Sequence, residues 1–350
     1  MSLSLLLSVL LGAGLLGLAL RTEEQRRRAP ALPPSAPHPF DTVTVLLPVR
    51  DERINIADCL ATLLPQARVR VIDDGSTDGT RELITTEVVD AGPLPDGWRG
   101  KVNALRVGWQ GVETPWVLLT DADTRHGPGL ISRALAAGKN LDAVSIAGTQ
   151  EARGIGENLV VPPVFAMLDA LLGDWDAAAS GTGPPVANGQ FILLRKEAWD
   201  RAGGFEAIRN EPLDDLAMVN RLRKCGYRTA FFRAPELRIR MYRGFGEAWR
   251  GWRRNLGGIF GPLPRTRAAI LAILLLPAAA LLGFLATGRW LEAALLWSAG
   301  AVASILFRSG SLHGLLYPLD AVLLAVLLFL GAADRRRGRL ASWKGREMKV

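Results

Sequence analysis

The sequence predicts an α/β domain with a mostly parallel sheet, joined at both ends to apolar helices that could cross a membrane. Three observations support this fold class. Between residues 43 and 120, β-branched apolar runs alternate with stretches whose apolar residues recur at helical spacing, as in parallel sheets. Residues 1–20 form one uncharged apolar run, and three further apolar runs follow residue 267. A water-facing domain is therefore expected between the two apolar regions.

The N-terminal run is interpreted as a membrane anchor that stays in the protein. Residues 1–20 carry no charge, and a helix of that length crosses a hydrocarbon core of about 30 Å. The run lacks the basic start of a secretory signal, and arginines follow it, including Arg26 to Arg28. Residues 21–40, rich in proline and arginine, are predicted to be a semi-rigid linker that lifts the next domain off the bilayer.

The central region, residues 41–265, contains the alternating elements of the predicted sheet. β-branched apolar runs and helical spacing predict strands over 43–49, 69–74 and 116–120 and helices over 54–64, 80–89 and 101–112. Ligands of open parallel sheets bind beyond the carboxyl ends of the strands, so the site is expected in the loops that follow these three strands.

Three apolar runs, 268–287, 290–307 and 315–331, predict membrane helices within residues 266–333, and residues 334–350 form a basic tail. If the central domain is cytosolic, three spanning helices would place Arg335 to Arg337 outside, against the positive-inside rule. Either one run is re-entrant or interfacial, or the rule is broken here. Glu292 in the second run and Asp320 in the third make those two runs the candidates.

Two segments of the central region are also expected to meet lipid. The apolar run 157–175 fits either a core segment or a surface helix that dips into the bilayer. Residues 240–265 interleave arginines with aromatic residues, which fits an interfacial amphipathic helix. If both segments lie on the membrane, the entrance for a second substrate faces the bilayer.

The basic charge of the chain does not indicate a nucleic-acid partner. The net charge is +8 and the sequence pI is about 10.1. The arginines lie beside the apolar runs, where the positive-inside rule and anionic lipid account for them, and no recognition motif accompanies them. The two cysteines, Cys59 and Cys225, lack metal-like spacing and indicate no disulfide framework.

Acidic residues follow the second and third predicted strands. Asp73 and Asp74 end the second strand, and Asp121 and Asp123 follow the third in the sequence LLTDADT. The residues from Pro48 to Glu52 close the first strand at the same edge. Because neighbouring carboxylates repel each other unless a cation is present, this arrangement predicts a site for Mg²⁺ or Mn²⁺ and a phosphate-bearing ligand.

In this order, the motifs resemble those of family-2 glycosyltransferases with the GT-A fold, which has a Rossmann-like sheet. The resemblance covers residues 40–255 and rests on LLPVRDE, VIDDGSTDGT, GWRGKVNAL, LLTDADT, ANGQFILLRKEAWDRAGGF and LDDLAMVNRLRKCGY. With its apolar flanks, the chain is most similar to membrane-bound members of the carotenoid-glycosylating and hopanoid-associated type.

The resemblance implies a role for each acidic position. Asp215 would be the general base and stands beside Asp214, where the family has glutamate. Asp123 would bind the metal that bridges the diphosphate, and Asp121 would support the metal or the nucleotide. The remaining donor contacts implied at these motifs are Pro48, Glu52, Asp73, Asp74 and Lys101.

The resemblance also implies a diphosphate and acceptor side. A basic and aromatic segment after the base closes over the diphosphate in the family, and a looser version is present here. The residues implied on this side are Gln190, Arg250, Trp252, Arg253 and Arg254. If the run 157–175 dips into lipid, Tyr242 and Trp252 are expected near a hydroxyl that a lipid presents. An interfacial amphipathic helix would have the same composition, so both interpretations stay open.

The sequence therefore predicts an inverting, metal-dependent glycosyltransferase that uses a nucleotide sugar, UDP-linked by family habit, and a lipid or lipid-linked acceptor. No separately placed nucleophile is evident, so a double displacement lacks support. The predicted location is the plasma membrane, with several spans and a cytosolic catalytic domain. The alternatives are a nucleotidyltransferase, which would show a Gly-rich basic loop near its first strand, and an inactive nucleotide-binding membrane scaffold.

Overall fold

The structure is a computed structural model, and it describes residues 2–35, 39–172, 174–211, 213–259, 265–308, 310–337, 341–343 and 346–348. The predicted linker, the segment 240–265 and the basic tail therefore each lie partly outside the described residues.

Eight strands of the described residues form one sheet, and two more form a short antiparallel hairpin. The strands are β1 Val43–Val49, β2 Arg68–Asp73, β3 Glu87–Asp90, β4 Trp116–Leu119, β5 Thr124–His126, β6 Ala143–Gln150, β7 Ile192–Arg195, β8 Thr229–Ile239, β9 Ala341–Trp343 and β10 Arg346–Met348. The α-helices are α1 Leu3–Arg28, α2 Ile56–Leu63, α3 Gly100–Trp109, α4 Leu130–Ala137, α5 Gly154–Asn158, α6 Val161–Leu172, α7 Trp175–Ser180, α8 Lys196–Arg201, α9 Asp214–Lys224, α10 Phe245–Ile259, α11 Arg265–Ala286, α12 Trp290–Phe307 and α13 Tyr317–Arg336.

The sheet is parallel in its first half and mixed in its second. Its strands lie in the order β3-β2-β1-β4-β7-β6-β8-β5. The neighbours β3, β2, β1 and β4 pair in parallel, and so do β6 and β8. Strand β7 runs antiparallel to β4 and β6, and β5 runs antiparallel to β8. The predicted α/β fold is confirmed, and its parallel part is the half that carries the acidic motifs.

The first strand shows why the sheet has a core on each face. Val45 and Leu47 pack into one buried cluster with Ile56 of α2. Leu46, between them in sequence, packs into a second cluster with Leu105 of α3. Because successive side chains of a strand point to opposite faces, a strand covered on both sides is an unbroken apolar run.

The predicted helix over residues 80–89 is wrong. Arg81–Leu83 form a single 3₁₀ turn, and Glu87–Asp90 form β3, parallel to β2. β-Branched side chains lose rotamer freedom in a helix and pack well on a sheet, and this stretch has them at positions 84, 85, 86, 88 and 89. The content of β-branched residues therefore favours a strand here, although the spacing of the apolar residues resembles that of a helix.

The first helix is longer than the predicted anchor, and the linker is packed against the sheet domain. Helix α1 continues to Arg28, and its charged last turns pair along the helix, Arg27 with Glu23 and Arg28 with Glu24. Leu32 is 4% exposed and lies in the core beneath the sheet. The described part of residues 21–40 is therefore helical up to Arg28 and packed on the sheet domain at Leu32, and its role in holding the domain off a bilayer stays a prediction.

The helices α1, α6, α11, α12 and α13 pack into one bundle. Helices α1 and α12 run in the same direction. The Ser4 hydroxyl donates to Glu292 at 2.7 Å near their starts, and Arg26 Nη1 donates to the Phe307 carbonyl at 2.7 Å near their ends. Four stretches of the described residues are long and apolar enough to cross a membrane, namely 3–28, 154–171, 290–307 and 312–334.

The run 157–175, for which two interpretations were open, contains the end of α5 and most of α6. Val164 and Met167 of α6 are fully buried in the bundle cluster, together with Leu15 of α1 and Leu324 of α13. Helix α6 is therefore packed on the other helices of the bundle, and the two cores that flank the sheet do not include it.

Candidate active site

The predicted site residues lie in loops at one edge of the sheet. Strands β1, β2 and β4 are parallel neighbours that end at Val49, Asp73 and Leu119. Pro48 is half-buried in β1, opposite Ile72 of β2. Because the carboxyl ends of these strands meet, the loops after them form the rim of one cleft.

The first acidic pair shapes the loop after β2. Asp73 and Asp74 are each 2% exposed. Asp73 Oδ1 accepts from the N–H and the hydroxyl of Ser76 at 3.1 and 2.6 Å, which fixes the turn. The Asp74 N–H donates to the Val49 carbonyl at 2.9 Å, and Arg50 Nη1 lies 3.8 Å from Asp74 Oδ2. Asp73 thus holds the loop, and Asp74 lies next to a cation at the end of β1.

Glu52 joins the loop after β1 to the loop after β2. Its carboxylate accepts from Asn55 Nδ2 at 2.8 Å, and its N–H donates to the Thr80 hydroxyl at 2.7 Å. Arg243, just before α10, donates to Asn55 Oδ1 at 2.8 Å. The rim of the cleft is therefore connected to the start of α10.

Lys101, at the start of α3, is the centre of a group that we call the acidic cluster: Lys101, Asp121, Asp214 and Asp215. Its Nζ lies 2.8 Å from Asp121 Oδ1 and 3.7 Å from Asp214 Oδ2. Burial alone would lower the pKa of Lys101, but the surrounding carboxylates outweigh it and raise the pKa. Burial raises the pKa of Asp121, although Lys101 opposes this. Three carboxylates around one ammonium leave an excess of negative charge.

Asp215 is held by two main-chain donors. Its Oδ2 accepts the N–H of Gly189 at 3.0 Å, and its Oδ1 accepts the N–H of Leu216 at 2.7 Å. Asp214 and Asp215 begin α9, where the helix dipole favours negative charge. Burial and the neighbouring charge of Asp214 raise the pKa of Asp215 to about 6. The carboxylate is thus fixed in place, ionised at pH 7 and basic enough to accept a proton.

Gly189 is a site residue that the sequence analysis did not single out. A Cβ atom at this position would lie 3.2 Å from Lys101 Nζ and 3.5 Å from Asp215 Cβ. A larger side chain would therefore push the base and the lysine apart. The glycine within the motif ANGQF could have indicated a close contact at this position. A single glycine in a sequence does not reveal which atoms approach it.

Gln190 lies behind the acidic cluster, and the described contacts do not place it at an acceptor. It is 5% exposed, and its Oε1 accepts from Gln150 Nε2 at 3.2 Å. Its carbonyl accepts from the Thr120 hydroxyl at 2.7 Å. The predicted acceptor contact is therefore corrected to a link between the end of β4 and β6.

A buried histidine supports the loop that carries Asp121 and Asp123. His126 Nε2 lies 3.1 Å from Thr120 Oγ1 and 3.0 Å from Thr124 Oγ1. Burial lowers the pKa of His126 to about 3, so the ring is neutral at pH 7. The histidine therefore positions the loop through hydrogen bonds.

Asp123 lies beside the segment that precedes and begins α10. Its carbonyl accepts the Arg240 N–H at 2.9 Å. Burial raises the pKa of the Tyr242 hydroxyl, the charge of Arg254 opposes this shift, and the charge of Asp123 adds to it. The charges of Arg254 and Asp123 thus both act on one buried hydroxyl.

Helix α10 is amphipathic and turns its aromatic face inward. Ala248, Trp252 and Leu256, spaced by four residues, are buried in the bundle cluster. The Trp252 ring packs edge-on against Phe165 of α6 and against Tyr242. Both rings are therefore buried: helical spacing directs Trp252 into the bundle cluster, and Tyr242, which precedes α10, packs beside it. That they lie near an acceptor hydroxyl stays a prediction.

The three predicted arginines of α10 have different surroundings. Arg250 is exposed. Arg253 forms an ion pair with Asp334 of α13 at 2.6 Å. Arg254 is half-buried, and its charge reaches Tyr242. Arg254 also donates through Nε to Asn255 Oδ1 at 3.3 Å, whereas Arg253 ties α10 to the bundle.

The donor set fits a divalent cation that binds together with a diphosphate. Among the residues that the structure describes, no group of three His, Cys, Asp or Glu side chains could hold a metal ion. Mg²⁺ keeps several waters and binds through one or two carboxylates plus substrate phosphates, so the loop with Asp121 and Asp123 is sufficient. Lys101 contacts Asp121, so a cation at this loop would share the Asp121 carboxylate with an ammonium group.

Comparison with known proteins identifies one domain family. Residues 44–216 match the family described as Glycosyl transferase family 2. A segment of 86 residues is 38% identical to glycosyltransferase AglJ of Haloferax volcanii, and it covers 24% of this chain and 28% of that protein.

The fold is similar to that of a solved glycosyltransferase along nearly the whole chain. A mannosyltransferase from Pyrobaculum calidifontis, solved with GDP-mannose and Mn²⁺, superposes with a TM-score of 0.55 at 20% identity. The superposition covers 96% of this chain and 100% of that one. Glucosyl-3-phosphoglycerate synthase from Mycobacterium tuberculosis gives a TM-score of 0.41 at 19% identity, with 62% and 78% of the two chains covered. The predicted GT-A fold is confirmed.

Proposed function

Since residues 44–216 form a glycosyltransferase family 2 domain, we propose that the chain is an inverting, metal-dependent glycosyltransferase that acts at a membrane. It moves a sugar from a nucleotide sugar to a hydroxyl of a lipid or lipid-linked acceptor. The observation that carries this proposal is Asp215, a carboxylate with a raised pKa, fixed by two amides beside the acidic cluster.

The donor binds across the ends of β1, β2 and β4. Asp74 binds the nucleoside part, with the loop held in shape by Asp73. Asp123 would hold Mg²⁺ or Mn²⁺, with Asp121 beside it, and the bound cation would neutralise the charge that grows on the leaving diphosphate. Arg254 approaches the same side and adds a second positive charge.

Asp215 removes the proton of the acceptor. As the acceptor oxygen forms its bond to the anomeric carbon, the carboxylate takes the hydroxyl proton and the bond to the diphosphate breaks with its electron pair. Asp121 and Asp214 both face Lys101, which leaves Asp215 as the carboxylate held only by main-chain amides in the described contacts. One base that acts opposite the leaving group inverts the anomeric centre.

The catalytic domain faces the cytosol, and α1, α11 and α12 span the bilayer. Helices α1 and α12 run parallel, and α11 precedes α12 through a short turn around Gly288. This orientation puts the end of α1, with Arg26 to Arg28, the start of α11 and the end of α12 on the cytosolic side. The arginines at these three places then satisfy the positive-inside rule.

Helix α13 lies along the cytosolic interface and does not cross the bilayer. Near its start, Asp320 pairs with Arg308, which donates to the Asn158 carbonyl at 2.8 Å. Near its end, Asp334 pairs with Arg253 of α10. Both ends of α13 are thus tied to segments of the catalytic side, so the arginines at 335–337 stay in the cytosol. This arrangement removes the conflict with the positive-inside rule noted in the sequence.

Reporter fusions test this topology. Fusions after residues 265 and 337 are expected to report cytosol, and a fusion after Gly288 is expected to report the exterior. An exterior signal after residue 337 would show that α13 spans. An exterior signal after residue 265 would invert the whole arrangement and exclude a cytosolic nucleotide sugar as donor.

The activity is tested with membranes that contain the full chain, Mn²⁺ and a panel of sugar nucleotides. UDP sugars are included on the family resemblance, and GDP-mannose because the similar mannosyltransferase was solved with it. Release of nucleoside diphosphate together with a glycosylated lipid supports the proposal. Release of pyrophosphate from nucleoside triphosphates would favour a nucleotidyltransferase, and nucleotide binding without any turnover would favour an inactive scaffold.

A further inference from the structure

A cavity lies inside the helical bundle, away from the acidic cluster. The room for water-sized molecules in it amounts to about 50 Å³, within about 430 Å³ of space between atoms that includes part of the open surroundings. Its walls are mostly apolar and come from five helices, with Leu15, Pro163, Leu274, Phe307 and Leu324 as one residue from each. These helices are the predicted spans and the elements packed on them, so the cavity opens among surfaces that meet lipid.

One end of the cavity is polar. Tyr317 and Asp320, in the first turns of α13, and Arg308, after α12, line it. Tyr317 is 5% exposed and Asp320 is 3% exposed. Among the described residues, the Tyr317 hydroxyl and Asp320 Oδ1 have no hydrogen-bond partner. A buried hydroxyl and a buried carboxylate oxygen are costly when unpaired, so both favour a ligand that supplies partners.

The glycine opposite Tyr317 makes room for its ring. A Cβ atom at Gly300 of α12 would lie 2.1 Å from Tyr317 Cε1. The ring can therefore lie flat against α12 and bring its hydroxyl to the cavity. The packing of α12 against α13 requires this close approach, so the same packing fixes the position of the Tyr317 hydroxyl.

The charges at this end are balanced. Arg308 pairs with Asp320 through Nη2, donates through Nε to the Ser304 hydroxyl at 3.2 Å and donates through Nη1 to the Asn158 carbonyl at 2.8 Å. All three nitrogens of the guanidinium are thus used, and one carboxylate neutralises it. Among the described residues that line the cavity, Arg308 is the cation, and its charge is already neutralised by Asp320. A phosphate group would therefore meet no net positive charge, whereas an uncharged hydroxyl could donate to Asp320 and accept from Tyr317.

The polar end is also close to the catalytic side. Asn158 follows Glu157, whose Oε1 accepts from Arg240 at 3.2 Å and from the Gly244 N–H at 2.9 Å. Arg240 in turn donates its N–H to the Asp123 carbonyl at 2.9 Å. Three residues, Asn158, Glu157 and Arg240, therefore connect Arg308 at this end of the cavity to the loop of the proposed metal ligand.

We propose that the cavity binds an uncharged lipid that carries a hydroxyl, with its chain between the bundle helices and its hydroxyl between Tyr317 and Asp320. The proposal rests on the proposed function, because it gives the acceptor its chemical class: a neutral lipid alcohol and not a lipid phosphate. The hydroxyl waits at the cytosolic interface and reaches Asp215 after the donor has bound.

Lipid binding is measured first, without catalysis, on the purified full chain in dodecyl maltoside micelles. The thermal unfolding midpoint is followed as the mole fraction of three lipids with the same two oleoyl chains rises: dioleoylglycerol, its 3-acetyl ester and dioleoyl phosphatidate. We expect dioleoylglycerol to raise the midpoint and the other two to leave it unchanged, since a ligand that binds only the folded state stabilises it.

A matched pair of variants then locates the hydroxyl. Tyr317→Phe removes one hydrogen-bonding group from the cavity, and Tyr227→Phe removes the same group from the sheet domain. One hydrogen bond corresponds to roughly a two- to tenfold change in affinity, so Tyr317→Phe is expected to weaken binding of dioleoylglycerol by about that factor. Tyr227→Phe is expected to bind as the wild type does.

Four results would overturn the proposal. Equal stabilisation by the acetyl ester would show that only the chains bind, and equal stabilisation by phosphatidate would show a phosphate site. No stabilisation by any of the three, or unchanged binding in Tyr317→Phe, would leave ordered water as the occupant. Release of nucleoside diphosphate from the donor panel is assayed separately, so a failed lipid site and a failed glycosyltransferase activity are distinguished.

Discussion

Two polar clusters of this chain balance their charges in opposite ways. In the acidic cluster, Asp121 and Asp214 surround Lys101, and all three side chains are 21–31% exposed. In the bundle, Arg308 and Asp320 form a pair of one positive and one negative side chain that are 2% and 4% exposed. The first cluster has surplus carboxylates in reach of solvent and can accept a cation and a charged substrate. The Arg308–Asp320 pair has no net charge and is buried, so it suits an uncharged partner.

The largest expected loss of activity is that of Asp123→Ala, because the surplus of negative charge at the acidic cluster is expected to hold a cation. Loss of this carboxylate should abolish sugar transfer and weaken nucleotide binding in the presence of Mn²⁺, because the remaining groups cannot hold the cation on the diphosphate. Turnover and donor affinity are measured with and without Mn²⁺. Turnover within about tenfold of the wild type would contradict the metal assignment, since a bound metal contributes several kcal/mol. Asp121→Ala is expected to be equal or milder.

The next effect in size is that of Asp215→Asn. General-base catalysis contributes about a hundred- to ten-thousandfold, so turnover should fall by that range. Donor affinity, measured by calorimetry with Mn²⁺, should change little because the base acts on the acceptor.

The comparison between Asp215→Asn and Asp123→Ala separates the two roles. If Asp215→Asn loses donor affinity as strongly as Asp123→Ala does, Asp215 belongs to the metal or nucleotide site. If it keeps full turnover, the residue is a helix cap and Asp214 becomes the first candidate for the base. Either result would remove the observation on which the proposed function depends.

Two neighbouring arginines of α10 allow a smaller and matched test. Arg254→Ala should lower kcat/KM by roughly ten- to a hundredfold, as expected for the loss of one charged hydrogen bond to a diphosphate. Arg253→Ala breaks the partly exposed ion pair with Asp334, and it should leave kcat/KM within about threefold of the wild type because such pairs contribute little. Equal losses in both variants would assign the effect to the packing of α10.

The sequence was sufficient for three of the four strands in the parallel half of the sheet, β1, β2 and β4, and for the acidic loops. Strand β1 is apolar on both faces, and the motif LLTDADT places Asp121 and Asp123 directly after a buried strand. Such features are local, because a strand and the turn that follows it are specified by consecutive residues. The identity of the acidic residues therefore indicated the site before any contact was known.

The remaining features depend on distant parts of the chain. The approach of Gly189 to Lys101 joins segments far apart in sequence. The inward direction of Trp252 depends on α6 and the bundle, and composition alone fits an open aromatic ring equally well. The position of α13 depends on Asp320 and Asp334, two isolated charges whose partners no local pattern reveals. Sequence periodicity predicted these elements but could not predict what they pack against.

The smallest expected effect, a change in pH dependence, tests the electrostatics of the acidic cluster. Burial and the charge of Asp214 raise the pKa of Asp215 to about 6, so kcat/KM of the wild type should fall as the pH drops below about 6 and the base becomes protonated. Asp214→Asn removes one of the two causes. The pKa of Asp215 should then fall, and the acid limb should move to lower pH while turnover at pH 7.5 stays near the wild-type value. The sign follows because a lost negative neighbour makes the ionised form of Asp215 easier to keep. The profile is measured with donor and acceptor at concentrations below their KM values, and Asp200→Asn, an exposed acid of α8 outside the cluster, is the control. An unmoved acid limb would show that burial alone sets the pKa of Asp215, and a loss of turnover as large as that of Asp215→Asn would transfer the role of base to Asp214.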